Sequence, residues 1–157
     1  MDSGTTLTGI IIMVIIIIPF LLMGINAKKQ KNRIKKELEN IATKNGCKVG
    51  QFDIWKNSAF AIDESEKFLI GYRKTNLETL EFFAVLKDFN SCTIQKSIRN
   101  VGDEVVVEHL KLAFGSKQNP SKPQYFEFYN SDTDSSQLGD EMQLLTKWHA
   151  LIKDRIN

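Results

Sequence analysis

Three periodic regimes of apolar and polar positions follow one another along the chain. Residues 7–25, LTGIIIMVIIIIPFLLMGI, are apolar without a single charge. A helix of about 19 residues rises roughly 28 Å, close to the roughly 30 Å hydrocarbon core of a bilayer. A helix packed in a water-soluble core would keep some polar face, and this run has none. Its many isoleucines are no obstacle, because in lipid the backbone must satisfy itself and a helix does so; Pro19 is tolerated there for the same reason. The pattern predicts a transmembrane helix over 7–25.

In the second regime Ile34, Leu38, Ile41 and Ala42 recur at helical spacing. They predict a juxtamembrane amphipathic helix within 26–46, stopped by Asn45-Gly46, a pair suited to the left-handed C-cap. The stripe is narrow and fits three neighbours equally: the following domain, the bilayer surface or a second copy.

From Gly50 the period falls to two. Phe52-Ile54, Phe60-Ile62 and Phe68/Ile70/Tyr72 mark strands, with Asp63-Glu64-Ser65-Glu66 as a turn. Residues 80–86 follow, then 91–99 with Cys92, Ile94 and Ile98 on the inner face. Residues 104–114 group Val106, Leu110, Leu112 and Phe114, and 124–130 place Phe126 and Phe128 inward. Short turns between six or seven strands predict an antiparallel meander. Leu138, Met142, Leu145, Trp148, Ile152 and Ile156 then predict a terminal amphipathic helix over 136–156. The expected fold is α+β, mainly β: an N-terminal transmembrane helix, then a β-domain over 50–157 that bends into a sandwich or barrel capped by its own last helix.

Composition sharpens this picture in a few places. Lys plus Arg is 21 against 19 for Asp plus Glu, too balanced for a protein held to nucleic acid by overall basicity. The positive charge is local: Lys28, Lys29, Lys31, Arg33, Lys35 and Lys36 crowd into 28–36, and no Lys or Arg precedes them. From Glu37 onward the chain has 15 basic and 18 acidic residues. The positive-inside rule therefore places the C-terminal bulk in the cytoplasm, at an inner membrane crossed once. A cleaved signal peptide would carry positive residues before its apolar run and small residues after it; MDSGTT and Asn26-Ala27 supply neither. The six basic residues are also candidate contacts for anionic headgroups. No aromatic residue interleaves them for base stacking.

The strand order followed by a helix carrying Trp148, with the segments FDIWKNSAFAID, CTIQKSI, HLKLAF, FEFYN and LLTKWHALI, resembles the pleckstrin-homology-like superfold as found in small bacterial membrane-anchored proteins of no established function. The resemblance covers roughly 50–157 and is structural in character. Phosphoinositide-binding members of that superfold use cations around the first hairpin turn. The resemblance assigns that turn to Asp63–Glu66, whose acidic side chains would repel a phosphorylated headgroup.

Little else suggests chemistry. Asn130, Asp132, Asp134 and Glu141 fall at positions 1, 3, 5 and 12 of a calcium-loop template, but Ser135 replaces the turn glycine. The competing reading is a solvated acidic loop in which Asp134 or Ser136 caps the last helix. Cys47 and Cys92 have no CxxC partner, and His109 and His149 stand in no catalytic spacing. Walker, GxSxG, GxGxxG and HExxH motifs do not occur. Trp55 suits either a packing anchor or an exposed contact at a turn. The sequence thus predicts no cofactor, no catalytic residue and no nucleic-acid partner. It points to a non-enzymatic module that touches lipid through its anchor and an unidentified protein or peptide through its domain, with anionic-lipid binding as the alternative. Its oligomeric state stays open.

Overall fold

The computed structural model describes residues 3–102 and 104–156, and side chains in the first helix from residue 11 to 19 and from 24 onward. Residues 7–10 and 20–23 of the predicted span are thus described by backbone alone, and Asp2 and Asn157 lie outside the described residues. The chain divides into two compact units, with the boundary between Arg33 and Ile34.

Helix α1 runs Ser3–Lys44. The two predicted N-terminal helices are therefore one, because between them only Gly24 and Asn26 weaken helix formation and neither stops it. Within the first unit Ile11–Ile18 are all about half exposed or more. By length and composition this is a helix able to cross a membrane. Its C-terminus closes as the Asn-Gly pair predicts: Gly46 takes φ +73° and the Gly46 and Cys47 amides donate to the Thr43 and Ala42 carbonyls.

The second unit holds two antiparallel meanders. One is β1 (Val49–Trp55), β2 (Ser58–Asp63), β3 (Phe68–Lys74) and β4 (Thr79–Val85), in that order. After a single 3₁₀ turn, Leu86–Asp88, come β5 (Phe89–Val101), β6 (Glu104–Ser116) and β7 (Gln124–Asn130). Helix α2 spans Glu141–Ile156. It starts five residues later than the periodicity predicts, since Leu138 packs on the core from the preceding loop.

Two apolar clusters hold the unit together, one on each face of the first sheet. Phe60 and Ile62 point inward to Phe114, Phe126, Phe128, Leu145, Trp148 and Ile152. Aromatic geometry orders this core: Phe60 meets Trp148 edge-on at 5.1 Å, and Trp55 stacks on Phe128 at 4.7 Å. The Trp55 indole N–H donates to the Phe128 carbonyl at 3.1 Å, so Trp55 is a buried anchor rather than an exposed contact. Phe126 can cross β3 only because residue 71 is glycine; a Cβ there would lie 2.4 Å from its ring. On the opposite face Ala59, Ala61, Ile70 and Tyr72 receive Ile34, Leu38, Ile41 and Ala42 of α1. The stripe that fitted three neighbours thus packs on the domain, and the folded unit begins at Ile34 rather than Gly50.

The long β5–β6 hairpin departs from the alternation. Ser97 opposes His109 but Ile98 opposes Val107, so β6 carries a bulge at Glu108. The bulge shifts the phase by one residue, and Val107, not Val106, packs on the core. Beyond Cys92 the inner face of β5 is bare: Ile94 and Ile98 are 36% and 52% exposed.

Candidate functional site

Packing accounts for most of the places that were candidates for chemistry. The first is the acidic turn. Asp63 is buried, and its carboxylate accepts the Ser65, Lys67 and Phe68 amides at 2.7–2.9 Å together with the Ser65 hydroxyl. Burial pushes its carboxyl up, but these donors outweigh burial and hold it below the usual carboxylate range. Glu66 is bound at 2.6 Å by Arg155, which lowers its carboxyl as well. This turn is moreover the second hairpin turn. The first is Lys56-Asn57, between Trp55 and Ser58, which corrects the assignment drawn from the superfold.

That first turn does carry a cation, Lys56, near Arg73, yet both are engaged; Lys74 beside them is exposed. Lys56 Nζ lies 2.5 Å from Glu141 and 2.5 Å from the Gln137 carbonyl. Arg73, almost wholly buried, is gripped by Asp134 at 3.1 and 3.2 Å and by Glu127 at 3.3 Å. The cavity they line is about 20 Å³, room for one water rather than a headgroup.

The same bonds separate the calcium-template residues. Asp134 faces Arg73 and the Asn130 amide, Glu141 faces Lys56 and the Gly139 amide, and Asp132 is exposed. Among the described residues no group of three His, Cys, Asp or Glu side chains is placed to hold a metal ion. Nor does Asp134 or Ser136 cap α2: the Asp140 carbonyl accepts the Leu144 amide at 3.0 Å, so Asp140 occupies the cap. Sequence spacing could not show this, because the competing partners come from the β1–β2 turn, β3 and β7.

The cysteines and histidines are likewise accounted for by packing. Burial pushes the Cys92 thiol up to about 12, and burial with the Asp63 charge raises Cys47. His109 Nδ1 lies 3.4 Å from Glu127, a carboxylate also bound by Lys111 and Asn130.

The edge of the second sheet is a different case. β5 pairs with β6 on one side only. His149 of α2 donates from Nε2 to the Cys92 carbonyl at 3.1 Å, which closes the edge at that residue. From Thr93 to Val101 every residue of β5 is exposed. A groove of about 470 Å³ borders this stretch, lined by Ile94, Gln95, Lys96, Ser97, His109 and Lys111. Alternation marked β5 as a strand; that it lies at an edge and outruns its core is a tertiary fact.

Of the six basic residues of 28–36, all are exposed. Lys35 pairs with Glu39 at 3.7 Å and sits over the Phe52 ring. Among the described residues Lys28, Lys29, Lys31, Arg33 and Lys36 have no ion-pair partner.

Comparison of the chain with protein-family models, with curated proteins and with solved structures finds no match.

Proposed function

We propose that this protein is a non-enzymatic binding module, anchored by residues 7–25 at the cytoplasmic face of a membrane, that captures an extended peptide by strand addition along β5. The observation that carries the reading is the nine-residue stretch of exposed β5, with Ile94, Ile98 and Val101 uncovered. Unpaired amides and carbonyls on such an edge supply main-chain affinity, and side chains at alternate positions supply selectivity. A sheet of four, a sheet of three and a terminal helix, in that order, support a pleckstrin-homology-like assignment for the domain. The cationic segment after the apolar run supports the cytoplasmic orientation. Tethering near the bilayer raises the effective concentration toward membrane-bound partners.

A photo-crosslinking residue at Ile98, compared with one at Lys122 in an exposed loop, tests this in native membranes. A discrete adduct from position 98 alone is expected. Equal labelling from both positions, or none from either with the chain folded, would remove the reading.

The second reading, an anionic-lipid binder, draws on the five uncommitted cations of 28–36. Replacing Lys28, Lys29, Lys31 and Arg33 with glutamine should then abolish enrichment of anionic lipid around the purified full chain; unchanged enrichment rejects it.

A further inference from the structure

The side chains of β5 say what kind of strand its edge would accept. In an antiparallel strand the N–H and C=O of one residue point to the same side, and the sides alternate along the chain. The Cys92 carbonyl faces away from β6, because His149 reaches it. Ile94, Lys96 and Ile98 repeat that orientation, since the bulge lies on β6 and leaves the period of β5 intact. These three residues therefore offer the main-chain groups to an added strand, and residues opposite them on that strand share their face.

Their side chains are apolar, cationic and apolar in turn. Ile94 and Ile98 are exposed, and Lys96 between them has no ion-pair partner among the described residues. Neighbouring cations are committed: Arg99 to Glu108 at 3.3 Å and Lys111 to Glu127 at 3.2 Å. The strand itself, FNSCTIQKSIRNV, contains no acidic residue. Resting on the strand-addition reading, we infer that the partner is an acidic peptide. Its order is apolar–x–acid–x–apolar, with the carboxylate opposite Lys96 and the apolar residues opposite Ile94 and Ile98. A second copy of β5 is a poor occupant. The antiparallel register that sets Ile94 of one copy opposite Ile98 of the other also sets Lys96 opposite Lys96, and like charges across strands are destabilising.

The test uses the full chain in nanodiscs of zwitterionic lipid and a labelled heptapeptide, Thr-Val-Thr-Glu-Thr-Val-Thr, with glutamine and lysine versions of its centre. The glutamate peptide should bind about five- to tenfold tighter than the lysine peptide, with glutamine between, from one attraction lost and one repulsion gained. Added salt should narrow the spread. Lys96→Gln should flatten the preference and Lys96→Glu should reverse it; both changes lie on an exposed side chain, and amide exchange of the core strands reports that the fold is kept. Equal binding of all three peptides would overturn the acidic preference while leaving strand addition standing. Absence of binding by any peptide, with the Ile98 amide unprotected, would remove both. Protection of the edge amides that grows with protein concentration without peptide, or that appears only on anionic nanodiscs, would assign the edge to a second copy or to the membrane surface and overturn the proposal.

Discussion

The two sheets of the domain are built from strands of opposite character. In the first, β2 reads SAFAID and every residue is buried. Phe60 and Ile62 face the aromatic core, while Ala59 and Ala61 face α1. The alanines are small enough for the helix to sit close. In the second sheet, β6 and β7 alternate: Leu110, Leu112, Phe114, Phe126 and Phe128 are buried, with Lys111 and Glu127 on the other face. A sheet covered on both faces needs apolar residues throughout, and a sheet covered on one needs them at every second place. The contrast shows where the fold invests its stability and where it leaves surface free. The central strands of the first sheet, β2 and β3, are enclosed between helix and core, and the second sheet presents an open face and, along β5, an open edge.

The contrast is broken most directly by truncating the helix that creates it. Leu38 is fully buried at the centre of the outer cluster. Leu38→Ala should cost about 2–5 kcal/mol, read from tryptophan fluorescence during denaturation of the full chain in detergent. The amides of β2 should then exchange faster while those of β7 change less. A loss confined to a few tenths of a kcal/mol would mean the helix is only loosely docked.

A smaller effect is expected at Asp63, the buried aspartate of the turn that joins β2 to β3. Asp63→Asn should cost about 1–3 kcal/mol near neutral pH, since an ionised acceptor is replaced by a neutral one. Because the Asp63 carboxyl lies below its ordinary value, its contribution is present above about pH 4 and is lost as acid protonates it. The gap between native and variant stability should therefore close on acidification from pH 6 to pH 2. A gap that stays constant would show that the charge is not what the turn uses.

The smallest effect belongs to the open strand. Ile98→Thr should change stability by no more than about 0.5 kcal/mol, because the side chain is half exposed and touches no cluster. Peptide capture, by contrast, should weaken with it. A large loss of stability would show that Ile98 is already covered and that β5 is not free.

Much of this architecture was legible from local pattern. Six or seven strands, of which the structure shows seven, the helix stop at Asn45-Gly46 and the terminal helix through Trp148 follow from period and turn chemistry, which depend on neighbours in sequence. Alternation assigns the inward position of β6 to Val106 rather than Val107, because a bulge leaves no mark in composition. The resemblance sets the first hairpin turn at Asp63–Glu66, one hairpin too late: β1 and β2 already turn at Lys56-Asn57, where Lys56 adopts φ +46° without a glycine. Candidate ligands in the acidic loop were separated by Arg73 and Lys56, which lie more than 60 residues away along the chain.

Sequence alone determined the apolar run over 7–25, the cationic segment after it and the succession of strands and helix, since each depends on residues close along the chain. Tertiary structure alone decided which face of the first sheet receives α1, which charges are neutralised and which strand is left at an edge. Those outcomes depend on pairings between distant segments: whether Asp134 finds Arg73, and whether β5 has a neighbour on one side or on both, is fixed only when the two sheets and the last helix close around a common core.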